Sequence, residues 1–428
     1  MIYTALVKIW GTNVGAVAWD KATGVGSFEY DPGFLKLELD LSPIKMPIDE
    51  VKVFSFHELR YNTLFKGLPG LLADVLPDRY GSMLINTWLA HNGRAMDSMN
   101  PVELLCFIGV RGMGALEFEP PIYESNNTAT KVEINEIIKF ANEILSGRKN
   151  FSTNLHKNEE KALLDIIKIG TSAGGARAKA VIAYNTQTGE IKSGQANAPK
   201  GFSHWLIKFD GVSDKQLGSP QGYGRVEMAY HLMAKDAGIE MSECRLLEEN
   251  NRAHFMTRRF DRTENNEKLH IQTFCALQHF DFNDVNAFSY EQLFQTLRSL
   301  HIDYSQAEQL FYRMVFNVLS RNCDDHTKNF SFIMDKKGKW KLAPAYDICF
   351  AYSPKNPWVS HQALSINGKR ENFTRNDFIT LAKQMNIKKA ESIINHIYVI
   401  SQDWNKYAKQ TNVDSKLAKA IQKKLIKI

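Results

Sequence analysis

Three residues, Asp324, Asn329 and Asp347, combine types and spacing that could do chemistry together. In Arg321-Asn322-Cys323-Asp324-Asp325-His326-Thr327-Lys328-Asn329-Phe330-Ser331 an acid is followed five residues later by an asparagine. A second isolated acid, in Ala345-Tyr346-Asp347-Ile348, lies 23 residues after the first. Between them an apolar, strand-like run over 330–334 breaks at Asp335-Lys336-Lys337-Gly338. The chemistry this layout suits is phosphoryl transfer, which asks little covalent help of a protein. It needs a carboxylate to orient or deprotonate the acceptor hydroxyl, and hard oxygen ligands to hold Mg²⁺ on nucleotide phosphates. Asp324 fits the first role; Asn329 and Asp347 fit the second. A D-x4-N spacing alone is common in polar turns, so the reading depends on what accompanies it.

Two further stretches accompany it. Gly170-Thr171-Ser172-Ala173-Gly174-Gly175-Ala176-Arg177-Ala178-Lys179 is rich in small residues. At Gly174 and Gly175 the backbone can approach phosphates closely, and Arg177 or Lys179 can add charge. The stretch is neither a Walker A sequence nor a standard kinase glycine loop, and a flexible hairpin would look the same. Lys208 lies inside the apolar run Ser203-His204-Trp205-Leu206-Ile207-Lys208-Phe209, at a distance after the glycine-rich turn that suits contact with α- and β-phosphates. Glu227, on the next helical stretch, is its candidate ion-pair partner. Lys328, beside Asn329, is a further candidate nucleotide contact. Adjacent side chains point apart, so Asp324, Asp325 and His326 are poorly placed to share a metal. Asp325 is read as a loop-bracing acceptor and His326 as a structural or substrate-orienting group. Cys323 has no evident base partner and is not read as a nucleophile.

The elements that must position these residues follow from periodicity. Residues 1 to about 60 read as strands, with stretches such as 4–8 and 35–39 between turns at Gly11-Thr12-Asn13 and Asp31-Pro32-Gly33. Helical patterns begin near Gly70 and continue over 82–91 and 101–108. A linker is read at Asn126-Asn127-Thr128. A helix with Ile134, Ile137, Ile138, Ala141 and Leu145 on one face follows, then strands over 180–184 and 204–209 and a helix over 226–235. A strand over 253–259 precedes a mostly helical remainder. Three units are expected: 1–120, 121–257 and 258–428. Near the C-terminus, Leu417, Ile421, Leu425 and Ile428 share one face, which implies a helix packed on the last unit with a solvated basic side.

At 428 residues with a formal net charge of +6, the chain is mildly basic, which suits ATP or a nucleic-acid-bound assembly and demonstrates neither. No apolar run approaches the ~20 residues that cross a bilayer, and the first residues lack a signal-peptide core. The five cysteines are scattered without a C-x-x-C pair, as expected of reduced thiols in a cytoplasmic protein without a zinc site.

Taken together, the stretch 172–179, Arg259-Phe260-Asp261-Arg262, 324–331 and Tyr346-Asp347-Ile348 resemble the HipA-like serine/threonine kinase toxins of bacterial toxin–antitoxin systems. Residues 71–81, Leu-Leu-Ala-Asp-Val-Leu-Pro-Asp-Arg-Tyr-Gly, look like that family's N-terminal region. The resemblance runs in order along essentially the whole chain. It implies an α+β, two-lobed protein-kinase-like fold of the phosphatidylinositol-kinase type, with an α/β N-terminal lobe and an all-helical C-terminal lobe. It also implies that Asp324 is the catalytic base, that Asn329 and Asp347 hold Mg²⁺, and that Lys208 contacts ATP phosphates. Backbone near Arg258 and Phe260 would meet the adenine. Ser172 matches the serine whose autophosphorylation inactivates such toxins, and roughly −2 of added charge in a loop that cradles ATP would repel the phosphates. Where some members carry Gln-Glu before the loop lysine, this chain has Arg177-Ala178, which removes an acid and adds a cation. The implied partners are a small helix-turn-helix antitoxin, DNA reached mainly through it, and a protein substrate such as an aminoacyl-tRNA synthetase, with no membrane. Two other readings stay open: a catalytically silent co-repressor acting with a DNA-binding antitoxin, and a kinase of small molecules or lipid headgroups.

Overall fold

Alternation of exposed and buried residues builds the first sheet. In β1 (Thr4–Ile9) the side chains of Ala5, Val7 and Ile9 are buried and those between them lean outward. Trp10 and Gly11, with φ of +50° and +81°, form the two-residue turn into β2 (Thr12–Asp20). Positive φ at both positions matches the twist of the flanking strands. With β3 (Val25–Tyr30) and β4 (Leu116–Glu119) the antiparallel order is β3-β2-β1-β4. These coordinates are a computed structural model that describes residues 1–49, 52–122, 129–146, 166–167, 169–170, 177–194, 197–212 and 222–428.

The strand expected over 35–39 does not form. Asp31 Oδ1 accepts the Gly33 N–H at 2.7 Å and Pro32 occupies the first turn, so a short helix, Pro32–Leu35, starts instead. The helix Pro101–Ile108 begins by the same logic: Asn100 accepts the Glu103 N–H at 2.9 Å ahead of Pro101. The helix Arg79–His91 is capped by Asp78.

Five antiparallel strands form the second sheet, in the order β6-β5-β7-β9-β8. They are β5 (Lys179–Tyr184), β6 (Ile191–Ser193), β7 (Ser203–Lys208), β8 (Cys244–Glu249) and β9 (Arg252–Arg258). The sequence pattern missed β8, an edge strand rich in charge that is turned onto β9 by Asn250 and Asn251, both at positive φ. The helix Tyr223–Asp236 lies against β8 and β9 and carries Glu227 inward.

The expectation of an all-helical last unit is corrected. β10 (His270–Thr273), β11 (Ser331–Met334) and β12 (Trp340–Leu342) form a third antiparallel sheet there. The apolar run after Asn329 alternates poorly because all four β11 side chains are buried. Helices make the rest. The C-terminal half of Tyr304–Leu319 is deeply buried, with Leu310, Phe311, Met314, Val315 and Phe316 fully enclosed. The helix Ser415–Gln422 buries Ala418 and Ile421, and the Ile426 N–H bonds Leu319 O at 3.0 Å, so the C-terminal apolar face packs on the last unit. Val7 and Leu72 of the first unit share one continuous core with Phe274, Met314 and Ile394. Among the described residues, no helix is long and apolar enough to cross a membrane.

Candidate active site

The helix Tyr304–Leu319 ends two residues before a loop that is fastened on several sides. Arg321 adopts φ of +57°, and its carbonyl and the Cys323 N–H pair with Ala351 at 3.0 Å each. Asp325 is fully buried and accepts from Tyr290 Oη at 2.6 Å, Gln362 Nε2 at 3.0 Å and the Ala363 N–H at 2.7 Å. It is a brace, as its place in the sequence suggested. Thr327 Oγ1 donates to Phe280 O at 2.8 Å, and Asn329 Nδ2 donates to the Asp324 carbonyl at 2.6 Å. That last bond folds the asparagine back beside the acid five residues earlier.

Asp324 faces the other way, its side chain 49% exposed. Desolvation by the surrounding walls raises its carboxyl above the ordinary value, and His326 opposes that rise. His326 is itself oriented. Its ring stacks on Phe282 at 4.7 Å, its Nδ1 accepts the Lys328 N–H at 3.2 Å, and its Nε2 lies 3.7 Å from Asp324 Oδ1. Because Nδ1 accepts, the proton of the neutral ring sits on Nε2, toward the carboxylate.

The other charges converge from distant elements. Lys208, at the end of β7, places Nζ 2.5 Å from Glu227 Oε1 and 2.5 Å from Asp347 Oδ1. Burial works against the ammonium, yet Asp347 and Glu227 outweigh it and raise the lysine above its ordinary value. Burial likewise opposes ionisation of Asp347, but Lys208 and Lys179 overcome it and hold the carboxyl at about 2. Glu227 moves up, because its burial exceeds what Lys208 returns. Lys179 is the cross-strand neighbour of Lys208 in the β5–β7 ladder and is buried, which lowers its pKa against the pull of Asp347 and Asp78. Asp347 adopts φ of +52°.

The structure therefore brings Asp324, Asn329, Asp347, Lys208, Glu227 and Lys179 to one cleft. Phe260 stands at 5.7 Å from the Tyr346 ring, whose hydroxyl donates to Lys328 O at 2.8 Å. The Arg258 N–H is taken by Glu243 O at 2.8 Å. Gly174, Gly175 and Ser172 lie outside the described residues. The Arg259-Phe260-Asp261-Arg262 motif turns out to be a buried charge cluster. Asp261 accepts from Arg259 Nε at 2.8 Å, Arg262 Nη1 at 2.6 Å and the Gly114 N–H at 2.8 Å, tying the first unit to the centre. Sequence reasoning also missed Asp74 and Asp78, two half-buried acids of the first unit that act electrostatically on Lys328 and Lys179. An acid in an otherwise apolar stretch was the available signal.

No group of three or more His, Cys, Asp or Glu suited to a metal occurs among the described residues. Asn329 and Asp347 instead offer one amide oxygen and one carboxylate. Such sparse, hard donors fit Mg²⁺, which keeps several waters and shares phosphate oxygens, better than Zn²⁺.

Known proteins resemble this chain in sequence and in fold. Residues 5–119 match the model of the HipA N-terminal domain, and residues 171–404 match that of the HipA-like C-terminal domain. A "putative kinase" of Haemophilus influenzae is 29% identical over 146 residues, covering 30% of this chain and 43% of that protein, so the match spans less than half of the relative. A Shewanella oneidensis structure described as a toxin–antitoxin complex of HipA, HipB and operator DNA superposes over 97% of this chain and 94% of that one. Its TM-score is 0.68 at 16% identity, a likeness of fold. The Helicobacter pylori kinase CtkA gives a TM-score of 0.31 at 14% identity, covering 51% of this chain and 92% of that one, and no argument rests on it. The second family model covers more than half of the 428 residues, and the two together follow one another along the chain: it belongs to the HipA-like family.

Proposed function

We propose that this protein is an ATP-dependent serine/threonine-protein kinase, the toxin of a toxin–antitoxin pair. The observation that carries the reading is the 2.5 Å contact of Lys208 with both Glu227 and Asp347, opposite a loop that presents Asp324 and Asn329. Structural ion pairs also occur, but this one joins a strand, a helix and a turn beside the loop that carries Asp324. ATP with Mg²⁺ would supply the terminal phosphoryl group, with its charge screened by the metal.

Asn329 and Asp347 would hold the metal, and Lys208 and Lys179 would face the phosphates, with Lys328 as a further contact and Phe260 near the base. Asp324 orients the acceptor hydroxyl and takes its proton as the oxygen bonds to the terminal phosphorus of ATP and the bond from that phosphorus to the bridging oxygen breaks, releasing ADP. Its raised pKa makes it a better acceptor than an ordinary carboxylate. Glu227 holds Lys208 in place, and His326 holds Asp324. Asp325 keeps the loop in register without touching the acceptor.

Beyond the reaction class, we infer that the target is a translation component, such as an aminoacyl-tRNA synthetase, and that Ser172 is a site of inactivating autophosphorylation. The Shewanella protein of similar fold was solved with an antitoxin and operator DNA, which supports a partner of that class here, with DNA reached through it. A silent co-repressor would have no use for the intact set of acids and lysines. The test is intact-mass spectrometry and lysate labelling with Mg²⁺-ATP, comparing wild type with Asp324→Ala. Phosphate on a protein in the wild type alone is expected, and its absence from both this chain and the lysate would overturn the reading.

A further inference from the structure

The catalytic loop is not supported from within its own unit alone. β10 pairs with β11, setting Thr273 opposite Ser331, and the Phe274 N–H bonds Phe330 O at 2.8 Å. The chain then forms the short helix Phe274–Gln278, whose cap is Thr273, and reaches Phe280, the carbonyl that receives Thr327 Oγ1. Residues 273–280 thus touch the loop 324–331 at both ends.

The outer side of that strap is held by the first unit, 199 residues away in sequence. Asp74, at the end of the helix Gly70–Ala73, accepts the Thr273 N–H at 2.7 Å and Thr273 Oγ1 at 2.8 Å. Oγ1 accepts the Ala276 N–H at 3.1 Å and donates its own proton to Asp74. Gly70 packs so closely that a Cβ there would stand 2.1 Å from Ala276 O, and its N–H donates to His279 Nε2 at 3.0 Å. Asn62 Nδ2 donates to Asp281 Oδ2 at 2.7 Å. Three successive attachments leave the strap little freedom.

Asp74 itself sits half-buried. Burial raises its carboxyl, and Lys328 is the first charge to oppose that rise. Burial likewise raises the nearby Asp78 carboxyl to about 6, with Lys179 and then Lys328 among the opposing groups. Asp78 Oδ2 is buried without a hydrogen-bond partner among the described residues.

We propose that Asp74 of the N-terminal unit is a positioning residue for phosphoryl transfer: it clamps residues 273–280 against the catalytic loop. The first unit is then a third wall of the active site. The activity half of this inference rests on the kinase reading above; the clamp does not.

The experiment measures amide hydrogen exchange of residues 324–331 together with Mg²⁺-ATP phosphoryl transfer, in full-length wild type, Asp74→Ala and Asp74→Asn. Asp74→Ala removes clamp and charge, whereas Asp74→Asn keeps hydrogen-bonding atoms at Thr273 and removes the charge. Loop exchange about tenfold faster or more in Asp74→Ala is expected, with the first sheet unchanged. Its kcat should fall about a hundredfold with the KM for ATP within about threefold, and Asp74→Asn should fall between it and wild type. If Asp74→Ala does not fold, Thr273→Val is the second variant: it removes the Oγ1 bond to Asp74 and leaves the backbone one, so a smaller acceleration of loop exchange is expected. Unchanged loop exchange in the folded variant overturns the inference whatever the activity. Faster exchange in a wild-type background that transfers no phosphate would sustain the clamp and overturn the kinase reading instead.

Discussion

Asp324 and Asp325 are neighbours in the chain and opposites in environment: Asp325 is 1% exposed and accepts three hydrogen bonds, while the Asp324 side chain is 49% exposed beside His326. Consecutive side chains in an extended loop point apart, so one acid can be committed to structure while the other is offered to an acceptor. The two should respond differently to mutation.

Asp324→Asn keeps shape and removes the proton acceptor. Phosphoryl transfer should fall roughly 10²- to 10⁴-fold while nucleotide affinity stays within a few-fold. Paired kcat and ATP-binding measurements check this, and near-normal turnover would remove Asp324 from its role.

Asp325→Ala should chiefly cost stability, because the Tyr290 hydroxyl, the Gln362 amide and the Ala363 N–H lose their buried acceptor together. A loss on the order of 3 kcal/mol in urea unfolding is expected, against under about 1 kcal/mol for Asp324→Ala.

His326 lowers the Asp324 carboxyl while burial raises it. Removing the ring in His326→Ala should let the carboxyl rise further. Transfer requires the ionised acid, so the acidic limb of the kcat profile should move to higher pH. A limb that stays in place would separate His326 from Asp324 electrostatically.

Asp347 is held at about 2, below its usual 3.8, by Lys208 and Lys179 acting against burial. A depressed carboxyl stabilises the fold at pH above its unfolded value, and this contribution fades as pH falls from about 4 towards 2. The shift corresponds to about 2 kcal/mol. Unfolding free energy measured across that window should therefore decline less steeply in Asp347→Asn than in wild type.

Much of this was legible locally. The D-x4-N spacing and the later Asp347 identified the cleft, since a tight turn and a short hairpin relate those residues within one stretch of chain. The strand-like stretch 4–8 marked β1, and the helical pattern over 101–108 marked the helix that Asn100 caps. Locality also explains the failures. The run 35–39 alternates like a strand, but Asp31 and Pro32 start a helix first. The edge strand β8 carries too many charges to show a pattern, and β10 and β12 are too short to stand out in a helical unit, whereas β11 follows the strand-like run 330–334.

The chemistry-bearing residues were thus determined by sequence, as types at spacings. Only the tertiary structure decided which of them meet. Lys208 and Asp347 are 139 residues apart, and Asp74 and Thr273 are 199 apart. No local periodicity records such pairs, because they form only when separate elements bury their apolar faces in one core and bring along the charges they carry.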